Sequence, residues 1–318
     1  MQNGLLFANA AVKTMESKLF GAEKMARLQE SDNLTDAVRI LREAGFGNAE
    51  SGDDYAGMIA SEEAMVENFV RKNAPAGAGF ECFWLRTDCH NLKVALKARY
   101  FGMDDEGLYL TGGVMSAEFV REVVFSEGKS LGNLLDEAIR EAASLHAGNA
   151  LTPKALDEAA DRALYRETAK LVSRKGVAKV VRDYFTRMAD LTNVLSYRRA
   201  KKYGDAKSFE GCFVEGGSIP SESFLRAFSD NSSGLELAAR AGLKTDGIDS
   251  DSDLEKAKEE YLLRLMTGMS PDMFTVQPIM GYYLIKKAEC RAIRTVMTCI
   301  RNGLGKDEIK RRIIKIYA

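Results

Sequence analysis

With 318 residues and 46% hydrophobic side chains, the chain can bury a sizeable core in about two domains or one elongated multi-part body, which excludes a disordered tail. Charged residues make up 29% of the sequence yet cancel to a formal net charge of -1, so no molecule-wide field toward nucleic acid or a bilayer is expected. Five cysteines, Cys82, Cys89, Cys212, Cys290 and Cys299, are odd in number and widely spaced, which fits free thiols in a reducing compartment rather than a disulfide framework.

The N-terminus lacks the basic-then-apolar layout of a signal peptide. Apolar periodicity then predicts helices over about 5–44 with a break near Phe20 to Glu23, and over about 57–73, 81–101, 115–126 and 130–146. Thr152 followed by Pro153 is a cap with proline at the first helical position. It opens a stripe at Leu156, Ala160, Ala163, Leu164, Leu171 and Val172 that runs to about Lys175. After Gly176 a second stripe, Val177, Val181, Tyr184, Met188, Leu191 and Leu195, persists to about Tyr203. At about 1.5 Å per residue these are rods on the order of 36 and 40 Å long. Further helices are predicted over about 220–229, 233–241, 251–267, 278–302 and 306–317, with punctuation at Pro75 to Gly79, Gly112-Gly113, Gly216-Gly217 and Gly268 to Pro271. GLYLTGG and GCFVEGG are too short for more than a local hairpin or extended turn, so the expected class is all-α. The most apolar run, Val276 to Ile285, is interrupted by Gln277 and Pro278 and stopped by Lys286 and Lys287, too short to span a bilayer.

Charge is unevenly spread. Glu30 to Glu67 holds ten acidic residues against Arg39 and Arg42, whereas Arg162 to Lys202 holds twelve basic residues against Glu167, Asp183 and Asp190. From Gly281 onward ten Lys or Arg residues face Glu289, Asp307 and Glu308. The plain reading is solvated faces of amphipathic helices; the sharper one is acidic and basic sides that dock on partners of opposite sign.

An internal repeat is the most informative feature. FWLRTDCHNLKVALKARYFG (Phe83 to Gly102) aligns with FTRMADLTNVLSYRRAKKYG (Phe185 to Gly204), so that Asp88, Asn91, Ala98 and Gly102 correspond to Asp190, Asn193, Ala200 and Gly204 at one constant offset. Each copy is followed by a double glycine, Gly112-Gly113 or Gly216-Gly217, and a short helix, an order that argues for duplication. Asp88 and Asn91 share a helical face, as do Asp190 and Asn193. They read as local structural groups, the aspartate bonding a neighbouring helix end and the asparagine fixing the next connection, rather than as an acidic site, because neither copy adds a histidine, cysteine or second acid at ligand spacing.

The residues suit no other chemistry. His90 and His146 are the two histidines, with no HExxH or CxxC, and Cys89-His90 point in different directions on a helix; no metal site or cofactor is expected. NGLGKDE at Asn302 to Glu308 lacks the full phosphate-loop pattern and follows no strand, so it reads as a break between two helices. Asp53-Asp54 and Asp246 to Asp253 miss calcium-loop spacing and read as solvated linkers. Tyr197-Arg198-Arg199 and Lys201-Lys202-Tyr203 mix basic and aromatic residues without any nucleic-acid signature, and no nucleic-acid partner is expected.

Taken together, ANAAVKTMESKLF, DCHNLKVALKARYFG with YLTGGVMSAE, DLTNVLSYRRAKKYG with FVEGGSIP, and QPIMGYYLIKKAECRAIRTVMTCIRNGLGKDEIKRRI resemble the C subunit of bacterial and archaeal V/A-type ATP synthases, which is similar to the d subunit of the eukaryotic vacuolar proton pump. The resemblance covers nearly the whole chain. It implies an all-α, funnel-shaped body of three related helical units, placed here at 1–126, 127–229 and 230–318, with the N-terminal helices contributing to the last. In its third copy, Glu289, Ile293 and Arg294 fit the family's terminal acidic-apolar-basic helix and Gly303 its break. It further implies a non-catalytic subunit on the cytoplasmic face of the membrane, peripheral through protein contacts, that joins central stalk subunits to the membrane rotor ring subunit and passes torque between them. Arg198, Arg199, Lys201 and Lys202, with the basic surface of the terminal helices, are then candidate partner contacts, while Asp88, Asn91, Asp190, Asn193, Gly102 and Gly204 hold the repeat geometry and the double glycines shape the ends where units meet. Phe83, Trp84 and the run PAGAGF are a departure from the family pattern and leave the start of the first long helix open.

Two other readings compete. A free-standing helical-repeat scaffold would bind soluble partners without a membrane ring, and an enzyme would need Asp88 and Asp190 to converge on a pocket.

Overall fold

In a computed structural model, residues 2–47, 54–202, 205–267 and 272–317 are described, and every regular element among them is an α-helix. Gly204, Tyr203, Asp53 and the predicted break at Gly268 to Pro271 lie outside the described residues. In chain order the helices are α1 (Gln2–Glu16), α2 (Gly21–Gln29), α3 (Leu34–Glu43), α4 (Tyr55–Asn73), α5 (Glu81–Phe101), α6 (Ala117–Phe125), α7 (Leu135–Ala147), α8 (Pro153–Val172), α9 (Lys179–Lys202), α10 (Ala206–Cys212), α11 (Ser221–Ser229), α12 (Leu235–Arg240), α13 (Asp251–Thr267), α14 (Gln277–Arg301) and α15 (Lys306–Arg312). No helix among the described residues is long and apolar enough to cross a membrane.

Side-chain caps set many of these starts by satisfying N–H groups that a helix end leaves without partners. Ser116 accepts from Phe119 N at 3.1 Å and Thr152 from Ala155 N at 3.1 Å. The first long helix begins at Glu81 without a side-chain cap.

Three sequence expectations are corrected. The run expected to continue from Glu23 to about 44 is broken between α2 and α3, because Asn33 turns extended and caps Asp36 N at 2.9 Å. Alongside GCFVEGG a helix was missed: α10 starts at the cap Asp205, which accepts from Ser208 N at 3.0 Å, and buries Phe209. The last helix ends at Arg312 rather than near 317; Ile313 is extended, and Ile313 and Ile316 are buried instead in the core.

The chain folds as two compact units, Met1–Ala76 with Glu259–Ala318, and Gly77–Lys258. In the first, α14 packs against α1, α2, α3, α4 and α15. Ile279, Met280, Ile293, Val296 and Met297 of α14 are fully buried, as are Met58, Ile59, Val66 and Val70 of α4. Each such side chain contributes roughly 1.5–3 kcal/mol relative to remaining in water. Phe20 and Phe46 meet edge to face at 5.7 Å in the same cluster.

In the second unit α5 packs on α6 and α8, and α9 on α8, α10 and α12. Tyr197 of α9 is fully buried among Phe209, Phe224 and Phe228, with its ring 4.6 Å from that of Phe228. Its hydroxyl donates toward Ala227 O at 3.0 Å and Ser232 O at 2.7 Å, so the one polar atom of a large buried ring is satisfied.

Candidate functional site

Asp88 and Asn91, three residues apart on α5, are both fully buried and reach the connection between α5 and α6. Asn91 donates from Nδ2 to Leu110 O and accepts Leu110 N at Oδ1, both at 2.9 Å, so its amide pairs with the backbone as a neighbouring strand would. One turn earlier, Asp88 accepts Val114 N at 3.0 Å on Oδ2 and Met115 N at 3.1 Å on Oδ1. These amides immediately precede Ser116, the cap of α6, where negative charge is favoured by the helix dipole.

The second copy repeats the arrangement. Asn193 donates to Val214 O at 2.8 Å and accepts Val214 N at 2.9 Å. Asp190 accepts Ser218 N and Ile219 N on Oδ1 at 2.7 and 2.9 Å, and the Ser218 hydroxyl on Oδ2 at 2.7 Å, just before α11. The double glycines follow from the same geometry. Gly112 and Gly216 take positive φ of 88° and 95°, a region that a Cβ disfavours. Gly113 and Gly217 carry no such strain but lie against the aspartates, where a Cβ would stand 3.1 Å from Asp88 Cγ and 3.2 Å from Asp190 Cγ. Gly102, left-handed at φ 64°, ends α5.

A third buried acid does similar work in the other unit. Glu289 of α14, fully buried, accepts Phe20 N at 2.8 Å and Gly21 N at 3.3 Å on Oε1, at the entrance to α2. The Tyr317 hydroxyl donates to the same oxygen, and Gly21 N reaches that hydroxyl at 3.0 Å. Burial raises the Glu289 carboxyl above its ordinary value, against the lowering influence of the Tyr317 bond and Lys286. Lys286, itself buried, lies 3.7 Å from Glu289 and 2.7 Å from Glu62. Sequence reading placed Glu289 on the last long helix but missed Tyr317, because nothing local links a tyrosine near the end of the chain to a turn at Phe20.

The basic candidates are largely occupied within the second unit. Arg198 Nε donates to Asp251 at 2.7 Å, and Arg199 pairs with Glu255. Lys201 Nζ donates to Asn231 O at 2.7 Å and to Ser232 O. Lys202 is exposed. Asp88 and Asp190 are each spent on their own connection, and neither lines the cavity of about 510 Å³ in this unit. Burial pushes the Cys89 thiol up to about 12, which removes the thiolate that a Cys89-His90 nucleophile would need. Among the described residues no group of three or more His, Cys, Asp or Glu is arranged to hold a metal.

A family model described as ATP synthase (C/AC39) subunit matches residues 8–312. The C subunit of the V-type sodium ATPase of Enterococcus hirae is 22% identical over 97% of this chain and 98% of its own length. The C subunit of the A-type ATP synthase of Pyrococcus abyssi is 21% identical over 96% of this chain and 89% of its own, and that of Haloquadratum walsbyi 22% over 97% of each.

Proposed function

The chain belongs to the ATP synthase (C/AC39) subunit family, a family of non-catalytic subunits, and from that premise we propose that it is the coupling subunit between the central stalk and the membrane rotor ring of a V/A-type ATP synthase or ATPase. It makes no bond and hydrolyses nothing; it passes torque between the soluble head and the ion-carrying ring, from the cytoplasmic face and through protein contacts. The observation that carries this reading is the match across residues 8–312 together with near-complete coverage of the C subunits of both kinds of rotary machine.

The work requires an element that twists without shearing, and three buried acids suit it. Asp88, Asp190 and Glu289 each sit on a long helix and grip backbone N–H groups of a distant connection. Hydrogen bonds to a charged acceptor are each worth roughly 1.5–3 kcal/mol, and a fixed connection cannot slide along its helix. The same recurrence supports three related units in a funnel-shaped body, built on α5, α9 and α14, with the third drawing in the N-terminal helices through Phe20 and Gly21. Of the basic residues, Lys202 and the outer side of Arg199 are the contacts open to a partner.

Affinity capture of the protein from gently solubilised native membranes tests this. Co-purification of an ion-carrying ring with ATPase stalk subunits is the expected result. Capture with soluble partners alone, while that ATPase stays assembled elsewhere, would leave a helical-repeat scaffold that shares only the fold.

A further inference from the structure

Among the described residues ten large apolar side chains are exposed, and six of them, Phe101, Leu108, Leu110, Val114, Phe119 and Phe125, fall between the end of α5 and the end of α6. Scattered singly they would need no explanation, whereas a cluster of this kind marks an interaction surface. Two cations tie its parts together. Arg121 Nε of α6 donates to Asp105 in the connection at 2.9 Å, with its guanidinium carbon 4.8 Å from the centre of the Phe125 ring, and Arg99 near the end of α5 donates to Val124 O.

The repeat separates what the fold requires from what it does not. Asn91 and Asn193 bond Leu110 and Val214, and Asp88 and Asp190 bond Val114 and Ser218, so the two connections align at one offset into α6 and α11. On that alignment the buried Val120 and Val123 correspond to the buried Phe224 and Ala227. The outer positions disagree: the exposed Val114, Phe119 and Phe125 correspond to Ser218, Ser223 and Ser229, none of which is buried. The same scaffold holds serine at all three places, so the apolar face of the first copy serves something outside the fold. The connections differ in the same sense. The second carries α10 and its Val214 is buried, whereas the first has only a turn, closed by Leu108 N on Asp105 O at 3.3 Å, and half of Leu110 is exposed.

The rim of this face is acidic. From Phe101 to Lys129 six carboxylates stand against Arg121 and Lys129. Arg121 is paired with Asp105 and Lys129 with Glu122, while Asp104, Glu106, Glu118 and Glu127 are exposed and in no ion pair among the described residues.

We propose that this face is the docking site of a helix from another protein, apolar on the side it buries and flanked by lysine or arginine. A helix fits because no strand edge exists among the described residues to pair with a partner's backbone, and because the second copy places a helix of its own, α10, in the stretch where the first has only a turn. Basic flanks follow from the four unpaired carboxylates, which would repel an anionic bilayer and the same acidic face of a second copy. Phe119 and Phe125 are the anchors, since large aromatic side chains carry most of the binding energy at such surfaces. The site goes beyond the coupling reading and does not rest on it, because a basic amphipathic helix of any protein satisfies it.

Photocrosslinking of the full chain in cells tests the assignment. Phe119→benzoylphenylalanine is expected to join a second protein, and sequencing of the joined peptide to show a helical apolar stripe with lysine or arginine on both sides. Ser223→benzoylphenylalanine, at the same position of the second copy, gives no such product. Adding Val114→Ser and Phe125→Ser, the residues that the second copy carries, lowers the yield on the order of tenfold at an unchanged melting temperature. Glu118→Gln with Glu127→Gln lowers it too, and more at low salt than at high. The proposal is overturned if position 119 joins only lipid or a second copy of this chain, if no product forms, or if the joined segment is acidic or lacks an apolar stripe. It is equally overturned if position 223 gives the same product in equal yield or if the serine variants leave the yield unchanged. An intact crosslink beside an affinity capture that lacks ring and stalk subunits would remove the coupling reading and leave the docking site standing.

Discussion

Gly217 packs so closely on Asp190 that a Cβ there would overlap Oδ1 and stand 3.2 Å from Cγ and 3.3 Å from the Asp190 backbone nitrogen. The carboxylate cannot retreat without releasing Ser218 and Ile219. Gly217→Ala is therefore expected to destabilise the chain by ~1–3 kcal/mol. Gly113→Ala costs at least as much, since its Cβ would also stand 2.8 Å from the Met115 carbonyl oxygen. Gly4, inside α1 with nothing within 4 Å, is the control: alanine there leaves stability unchanged or raises it by up to ~1 kcal/mol. Urea unfolding of the three variants checks the order.

The two aspartates differ in what an amide could replace. Asp190 receives both backbone N–H groups on Oδ1 and a serine hydroxyl on Oδ2, and that hydroxyl can turn round and accept. Asp190→Asn keeps these three bonds but gives up the pairing of Oδ2 with Arg187 Nη1 at 3.6 Å, and is expected to cost about 1 kcal/mol. Asp88 receives one backbone N–H on each oxygen, so an NH2 in either position faces a donor. Asp88→Asn is expected to cost ~1–3 kcal/mol. Equal losses in denaturant unfolding would show that charge, rather than donor geometry, sets the requirement.

The asparagine and aspartate pairs were readable in the sequence because the positions recur at a constant offset and share a helical face, and the double glycine recurs with them. The helix spanning 81–101 was legible at its end, which Gly102 closes, while Phe83, Trp84 and the run PAGAGF left its start open. What escaped was set by contacts between segments far apart in sequence. The run Ile313 to Tyr317 is as apolar as a helix face, yet Ile313 is extended, Ile313 and Ile316 are buried outside any helix, and Tyr317 reaches Glu289. Short α10 gave too few positions for periodicity, and Phe209 explains it only once Tyr197 and Phe224 are beside it.

Burial raises the carboxyls of Glu289 and Glu67 above the ordinary 4.5, partly offset by Tyr317 and Lys286 at the first and by Arg71 and Tyr283 at the second. A raised folded-state value means that the native chain holds these protons more tightly than the unfolded chain does. Stability therefore falls as pH rises from about 4.5 through the folded values, then levels off. The lowered, exposed carboxyls Glu30, Asp105, Asp205, Asp253 and Glu308 act in the opposite sense, contributing stability that is lost as pH falls below their ordinary range. Glu289→Gln retains an oxygen for Phe20 N and is expected to flatten the decline above 4.5, with Glu67→Gln removing more of it. Unfolding midpoints across pH 4.5 to 7 measure the slope, and a slope untouched in the double variant would place its origin elsewhere.

The basic face of α9 separates folding from assembly. Arg198 has 17% of its side chain exposed and is bonded to Asp251, so Arg198→Glu sets two like charges together and is expected to destabilise the isolated chain by ~1–3 kcal/mol. Arg199 and Glu255 are each at least half exposed, and an ion pair of that kind contributes ~0–1 kcal/mol. Lys202 is exposed at the end of the helix. Arg199→Glu and Lys202→Glu should therefore fold as the parent does while weakening recovery of the chain with stalk and ring subunits. Full recovery with both reversals, beside an unchanged melting curve, would remove this face from the partner interface and leave the basic surface of the terminal helices to carry it.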